Sequence, residues 1–190
     1  MTSRTHDVIA FASLVTIASL YPPKDLGVVT LFASLVGNVV GALAPDMDQA
    51  GNRLWDMLPA GNTVGKLLRK VFYKHRTLSH SILGLLIFYK ITEFILPMFF
   101  NSTFVNIHLL HVSLLIGYVS HLVADAFTKE GIPLLFPLNI NFGFPPLEFL
   151  RITTGKWIEK YIVFPGVGLY LVWFVINHQA NLIQLFQSLR

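Results

Sequence analysis

Long apolar stretches, separated by shorter polar loops, run through the whole chain. Four of them contain at most two charged residues each: 26–44, 78–100, 107–127 and 161–189. Lys90 and Glu93 interrupt the second stretch, but their spacing lets them pair on one side of a helix. A helix of about 20 residues crosses a hydrocarbon layer about 30 Å thick. The pattern therefore predicts four membrane-spanning helices.

A fifth apolar stretch, 8–20, is shorter than the other four. Its 13 residues reach only about 20 Å as a helix, so it crosses only if flanking residues extend it or the bilayer thins locally. We expect it to be retained, because Tyr21-Pro22-Pro23-Lys24 is not a small-residue cleavage site. We predict an all-α fold, a polytopic membrane helix bundle with about four to five transmembrane helices, and a single membrane-embedded domain over residues 1–190.

The composition agrees with a membrane protein, because 54% of the residues are apolar, 13% are charged and the mean hydropathy is +0.61. The absence of cysteine excludes disulfides, thiolate nucleophiles and iron–sulfur clusters, and leaves nitrogen and oxygen ligands for a metal. A net charge of +4 would suggest nucleic acid as the partner of a soluble protein, but membrane proteins gather Lys and Arg in cytoplasmic loops. We therefore expect membrane lipids as partners and no nucleic acid.

Lys and Arg are distributed unevenly between the loops. Six lie in 45–77 and four in 128–160, whereas 101–106 has none. If all five stretches cross, the N-terminus and the two basic loops share one side, and the positive-inside rule makes that side cytoplasmic. The C-terminus then lies outside.

Seven polar residues fall at the predicted helix ends on this cytoplasmic side: His6, Asp46, Asp48, His75, His80, His121 and Asp125. Ionisable residues at such positions are candidates for a functional site. Imidazoles favour Zn²⁺ and carboxylates favour Mg²⁺ or Mn²⁺. The pattern predicts a site for one to three divalent ions, and hydrolysis through activated water is the natural reaction of such a site.

The spacing of these residues supports convergence, although each has a plainer interpretation. His121 and Asp125 are four residues apart, so one face of a helix presents both; the same pair could simply hold the helix end by a hydrogen bond. Pro45 ends the preceding helix, which places Asp46 and Asp48 on an irregular segment that can bend towards an ion. Aspartate is also a common turn former and helix cap.

His75 and His80 are five residues apart, which on one continuous helix would separate their side chains by about 140°. They converge if His75 lies before the helix and Thr77 lies near its N-cap. Arg76 adds a planar, permanently charged group suited to phosphate or carboxylate. A basic cluster of this kind is also typical of an interfacial anchor.

Two other classes of function fit the same residues. A cation transporter also places His and Asp within the membrane, but it predicts polar residues through the bilayer depth, and the central turns of 26–44 and 161–176 are almost entirely apolar. A non-catalytic scaffold with a structural metal predicts a saturated ligand shell. The remaining histidines fall towards the opposite face, where we assign them to the interface or to packing: His108, His111 and His178.

Several motifs resemble the YdjM-type family of LexA-regulated inner-membrane proteins, which are regarded as metal-dependent hydrolases. The similarity spans most of the chain and rests on Thr5-His6, Leu43-Ala44-Pro45-Asp46-Met47-Asp48, His75-Arg76-Thr77-Leu78-Ser79-His80-Ser81, the stretch 117–125 with its continuation to 137, and Thr154-Gly155 followed by Glu159. Gln49 stands where the family usually has a histidine, so that position is not carried over as a ligand. The family in turn resembles zinc-dependent phospholipase C and P1 nuclease, whose His-x-x-x-Asp element is matched by His121 and Asp125 and whose N-terminal ligand resembles His6.

The His and Asp residues on one shared side, together with the membrane location and the resemblance, lead us to expect a hydrolase that cleaves phosphoester bonds of a lipid or amphipathic substrate at the cytoplasmic face of the inner membrane. The seven His and Asp residues would hold the metal, with Zn²⁺ as the favoured ion. Arg76 would bind an anionic head group, and Glu159 would act as an acid, a base or a support for the ligands.

Overall fold

The apolar stretches form α-helices in the computed structural model, which describes residues 1–24, 26–48, 78–138, 140–187 and 189, with Asp48 as backbone only. Numbered in chain order within the described residues, the helices are α1 (Ser3–Leu20), α2 (Val28–Leu43), α3 (Ile82–Phe99), α4 (Ile107–Ala126), α5 (Phe164–Asn177) and α6 (Gln179–Gln187). Short 3-10 turns cover Ala44–Asp48, Leu78–His80 and Glu148–Leu150, and a π-helical turn, Glu159–Val163, leads into α5. The all-α prediction is confirmed for the described part of the chain, where extended pairing is limited to isolated bridges.

Helical segments long and apolar enough to cross a membrane cover all four predicted spans: Val28–Met47, Ile82–Phe99, Ile107–Ala126 and Glu159–Asn177. Large apolar side chains remain exposed along α3 and α5, among them Phe94 and Leu169. A water-soluble monomer rarely exposes apolar surface of this extent. Lipid would cover these faces.

α1 begins at Ser3, ahead of the apolar stretch 8–20, so its 18 residues reach about 27 Å. The helix packs along α2 and α4 and also contacts α5. Its first turn lies at the end of the bundle where α4 finishes. The additional turn before residue 8 is therefore what brings His6 to this end of the molecule.

α2 and α4 pack against each other at the centre of the bundle and approach very closely. A Cβ atom at Gly41 would lie 2.0 Å from the carbonyl oxygen of Leu114, and one at Gly117 would lie 2.1 Å from that of Asn38. Any side chain at either position would push the helices apart. Small residues at membrane helix interfaces permit this kind of backbone contact.

Local signals in the sequence end α2 and begin α3. Pro45 cannot continue the hydrogen-bond ladder of α2, and the chain turns into the 3-10 segment Ala44–Asp48. α3 begins only after Ser81, whose hydroxyl accepts a hydrogen bond from the Gly84 amide. The predicted helix start at residue 78 is thus corrected to Ile82, and Thr77, the predicted cap, lies outside the described residues.

The uncharged stretch 161–189 is longer than one spanning helix needs, and its remaining residues form a second, shorter helix. α5 ends at Asn177, and the ring of His178 stacks on Phe174 with centroids 4.2 Å apart. The short helix α6 follows, and its Asn181 amide donates to the carbonyl oxygen of Ser19 near the end of α1. α6 therefore lies at the opposite end of the bundle from His6.

Candidate metal centre

His121 and Asp125 project from the last turns of α4 into the protein interior, where both are buried. The Nε2 atom of His121 lies 3.7 Å from Oδ2 of Asp125. On the other side of the ring, Nδ1 lies 2.6 Å from the carbonyl oxygen of Ala42 in α2. Because a carbonyl oxygen only accepts hydrogen bonds, Nδ1 carries the proton and Nε2 keeps its lone pair. Metal-binding histidines are commonly oriented in this way.

His80 reaches the same place from the 3-10 turn before α3. Its Nε2 atom lies 3.3 Å from Nε2 of His121 and 3.5 Å from Oδ2 of Asp125. The Ser79 hydroxyl lies 3.1 Å from His80 Nδ1, and the Tyr118 hydroxyl donates to the Ser79 carbonyl oxygen. α4 therefore holds this turn in place and directs the Nε2 atom of His80 towards the cluster.

His6 completes the buried part of the cluster from the first turns of α1. Its ring stacks on that of His121 with centroids 3.7 Å apart, and its Nε2 atom lies 3.2 Å from Oδ1 of Asp125, which the Met1 amino group also contacts. Among the described residues, neither ring nitrogen of His6 has a hydrogen bond of normal geometry. Leaving buried polar atoms in this state is unfavourable, and a bound cation would relieve it.

Asp46 lies at the rim of the cluster, on the 3-10 turn that follows α2. Its Oδ1 atom is 3.4 Å from Nε2 of His80 and 3.7 Å from Nε2 of His121. Its side chain is 16% exposed, whereas the side chains of the other cluster residues are at most 1% exposed. Asp46 therefore marks the side from which water can approach the buried residues.

The donor atoms form two overlapping groups that could hold a divalent ion: His80, His121 and Asp125, and His6, Asp46 and His121. Within each group the ligand atoms lie within 4.8 Å of one another. Converging lone pairs repel each other when water is excluded, and a cation between them reverses the interaction. The nitrogen and oxygen donors therefore fit a divalent metal ion.

The electrostatics of His80 also show that the cluster attracts positive charge. Burial lowers the pKa of the His80 imidazole, but its hydrogen bonds to Asp125 and Asp46 outweigh burial and raise that pKa above its ordinary value. The two carboxylates beside this imidazole therefore favour positive charge at the cluster.

The structure brings together five of the residues predicted as metal ligands: His6, Asp46, His80, His121 and Asp125. His75 and Arg76 lie outside the described residues, as does the side chain of Asp48. Away from the cluster, the ring of His111 packs on Tyr89 with centroids 4.8 Å apart.

Glu159, for which we predict a role as acid, base or support, is buried beside the start of α1. Its carboxylate accepts four hydrogen bonds, from the Thr2 amide at 2.6 Å, the Thr2 and Thr5 hydroxyls at 2.8 and 2.6 Å, and the Gly155 amide at 2.6 Å. Gly155 has φ +72°, a left-handed conformation that glycine adopts readily. Glu159 therefore ties α5 to the segment that carries His6, an arrangement suited to support.

The residues that orient the cluster could not be recognised from the sequence. The carbonyl of Ala42 and the hydroxyls of Thr5 and Tyr118 act through contacts with distant parts of the chain, and Thr5 is 154 residues from Glu159. No local pattern marks such residues. Thr5, Tyr118, Gly155 and Glu159 lie within motifs that carry the family resemblance, but those motifs do not tell which residues contact each other.

Comparisons with known proteins agree with a membrane protein. The chain is 33% identical to the uncharacterized protein YvsG of Bacillus subtilis over 163 residues, which are 86% of this chain and 88% of YvsG. It is 29% identical to the inner membrane protein YdjM of Escherichia coli and of Shigella flexneri over 124 residues, which cover 65% of this chain and 58% of each relative. No solved structure matches significantly. The sequence pattern of the YdjM inner membrane protein family matches residues 1–185, and the chain therefore belongs to that family.

Proposed function

We propose that the protein is a membrane-bound, metal-dependent hydrolase that cleaves phosphoester bonds of a lipid or amphipathic substrate. The observation that carries the proposal is the convergence of three imidazoles and two carboxylates at one end of the membrane-spanning helices. Hydrolytic metal sites use such ligands. A site at the helix ends would lie near lipid head groups, where phosphoester bonds are found.

Zn²⁺ is the ion that we assign to this centre, because imidazoles outnumber carboxylates, with Mg²⁺ or Mn²⁺ as alternatives. His80, His121 and Asp125 would hold it, with His6 and Asp46 beside them. When bound, the ion would supply an activated water and would stabilise negative charge on the phosphoryl oxygens.

The surrounding residues prepare the centre for this chemistry. The Ala42 carbonyl fixes the proton of His121 on Nδ1, and α4 holds the turn that carries His80. Glu159 holds the segment before His6. Rigid support of this kind keeps ligands in the geometry that a metal requires. Arg76 is our candidate for a further contact with an anionic head group.

We place the centre on the cytoplasmic side of the membrane. Arg4, Lys129 and Lys160 lie at the same end of the described helices as the cluster, and the loop 101–106 at the other end has no Lys or Arg. The positive-inside rule assigns the basic end to the cytoplasm. The family description as an inner membrane protein supports the choice of membrane.

The test is an assay of lipid hydrolysis. Zn²⁺-loaded protein is reconstituted into vesicles of phosphatidylethanolamine and phosphatidylglycerol with phosphatidic acid added, and products are identified by mass spectrometry. We expect products of phosphoester cleavage with wild-type protein and with the control His178→Ala, at the far end of the bundle, but not with His121→Ala. Equal turnover by wild type and His121→Ala, or no cleavage of any phosphoester, would contradict the proposal.

A cation transporter is the second candidate, and one specific observation favours it. We expected the centre of α2 to be almost entirely apolar, but its buried face carries three polar residues, Thr30, Ser34 and Asn38. Two of these residues bond to neighbouring segments, Thr30 to the Asn106 amide and Asn38 to the Ser113 carbonyl oxygen, as expected for helix packing. Metal-ion flux into sealed vesicles that is lost in Asn38→Leu would favour transport over hydrolysis.

A further inference from the structure

A cavity of about 910 Å³ opens beside the metal centre, between the first turn of α1 and the beginning of α5. It is lined by Thr2, Ser3, Arg4, Thr5, Lys160 and Phe164. The metal-ligand candidates do not line it, but Thr5 precedes His6 directly and Lys160 follows Glu159. The cavity is thus a separate space that adjoins the segment carrying one of the ligands.

The charge of this cavity is positive. Arg4 and Lys160 are exposed, and among the described residues no carboxylate forms an ion pair with either one. The adjacent carboxylate, Glu159, is buried and already accepts four hydrogen bonds from Thr2, Thr5 and Gly155. Arg4 and Lys160 therefore face the cavity without an ion-pair partner among the described residues, and an anion would complement them.

The seam between α1 and α5 continues from this cavity along the apolar part of the bundle. About one turn further along each helix, a space of about 380 Å³ is lined by residues of both, including Ile9 and Val167. An apolar space therefore adjoins the basic cavity between the same two helices.

We propose that the seam between α1 and α5 is a binding site for an anionic phospholipid, with Arg4 and Lys160 holding the phosphate and the adjoining apolar space holding an acyl chain. This inference rests on the proposed function and deepens it, since it names the substrate class and the side from which substrate approaches. The guanidinium of Arg4 can pair with two phosphate oxygens, and Lys160 adds a second charge. Basic pockets between membrane helices commonly bind lipid head groups in this way.

The combination of features selects a phospholipid over a soluble phosphate compound. A soluble phosphate would use the basic cavity and gain nothing from the space near Ile9 and Val167, which lies at the depth of the acyl chains. Each methylene group of an acyl chain that leaves water adds to the binding free energy, so affinity should depend on the chain as well as on the charge. A neutral or zwitterionic lipid would fill the apolar seam but would leave Arg4 and Lys160 without a net negative partner.

The test measures binding by calorimetry to the full-length, Zn²⁺-loaded protein in detergent micelles. The probe is the non-hydrolysable phosphonate analogue of dioctanoyl phosphatidic acid, compared with dioctanoyl phosphatidylcholine and with glycerol 3-phosphate. We expect the anionic lipid to bind at least about tenfold more tightly than either compound. Arg4→Gln with Lys160→Gln should remove most of this preference, whereas the control pair Lys24→Gln with Lys129→Gln, which removes the same charge elsewhere, should retain it.

A second variant tests the apolar part of the site. Val167→Trp fills the space between α1 and α5 and should weaken lipid binding while leaving glycerol 3-phosphate binding unchanged. Unaltered lipid binding by Arg4→Gln with Lys160→Gln, or equal affinity for lipid and glycerol 3-phosphate, would overturn the inference. The outcome is distinguishable from failure of the proposed function, because the probe is not hydrolysed: specific binding without any lipid hydrolysis would preserve this site and reject the hydrolase.

Discussion

The Nδ1 atom of His121 lies 2.6 Å from the carbonyl oxygen of Ala42, across the interface between α4 and α2. This contact links the packing of the two central helices to the chemistry of the cluster, because it fixes which nitrogen of His121 faces the other ligands. It also limits His121 to one metal ion, since only Nε2 is free to bind. Anything that separates α2 from α4 should therefore disturb the metal centre as well as the fold.

The close approach of α2 and α4 predicts an unusual sensitivity at Gly117. Gly117→Ala would place a Cβ atom 2.1 Å from the carbonyl oxygen of Asn38, and overpacking of this kind costs about 1–3 kcal/mol. Thermal unfolding in detergent should show a clearly lowered midpoint. Gly166→Ala is the matched control, because its Cβ atom would meet nothing within 4 Å; equal midpoints for the two variants would argue against this helix interface.

The four hydrogen bonds to Glu159 predict that it supports the centre from outside. Glu159→Gln keeps the shape of the side chain but replaces one acceptor oxygen with an NH2 group, which cannot accept a hydrogen bond. At least one of the donors on Thr2, Thr5 or Gly155 therefore loses a hydrogen bond, which costs about 1.5–3 kcal/mol. We expect metal affinity to fall several-fold, as for other groups that orient ligands. Glu148→Gln, on the exposed turn Glu148–Leu150, should have no effect, and identical metal affinity in both variants would exclude the supporting role.

The raised pKa of His80 predicts that metal binding depends on pH. A proton on His80 competes with the ion, so affinity should fall as pH drops through this raised pKa and should increase as pH rises through it. Competition against a chelating dye between about pH 6 and pH 8, around the ordinary histidine pKa of about 6.5, measures the effect. Affinity that does not change over this range would show that His80 is not a ligand.

The proposed orientation predicts which loops are accessible from each side of the membrane. The chain has no cysteine, so single cysteines can be introduced without altering a background. Thr103→Cys, in the loop between α3 and α4, should react with a membrane-impermeant maleimide in cells whose outer membrane is permeabilised and whose inner membrane is intact. Lys129→Cys, at the cluster end, should react only after the inner membrane is permeabilised. The reverse pattern would place the centre outside the cytoplasm.

Much of the fold follows from the sequence because lipid imposes a simple rule on it. A spanning helix needs a long apolar stretch, and all four long stretches form such helices. The boundaries were harder to predict, because they depend on local competition. Ser81 caps α3 four residues after the predicted cap, and the stacking of His178 on Phe174 accompanies the end of α5 within a stretch that has no charge.

The candidate site, too, could be predicted from the sequence only in part. His6, His121 and Asp125 were recognisable because polar residues are rare in apolar surroundings and their positions shared one predicted side. The supporting contacts were not recognisable, because Ala42 contributes only a backbone carbonyl and the motif Thr5-His6 does not show that Thr5 contacts Glu159. Nothing in the local sequence around Arg4 and Lys160 indicated that these residues lie together. They line one cavity only because α1 and α5 meet at this end of the bundle.

The presence of a metal ion at His121 and Asp125 is the central claim, and metal analysis of the purified protein tests it most directly. Three proteins are compared: the wild type, the double variant His121→Ala with Asp125→Ala, and the control His178→Ala. Each is purified without chelators, incubated with Zn²⁺, Mn²⁺ or Mg²⁺ and freed of unbound ions, and its metal content is then measured by plasma mass spectrometry. We predict stoichiometric metal, with Zn²⁺ preferred, in wild type and control and its loss in the double variant. Absence of metal from wild type under all these conditions, or equal metal in all three proteins, would contradict the claim.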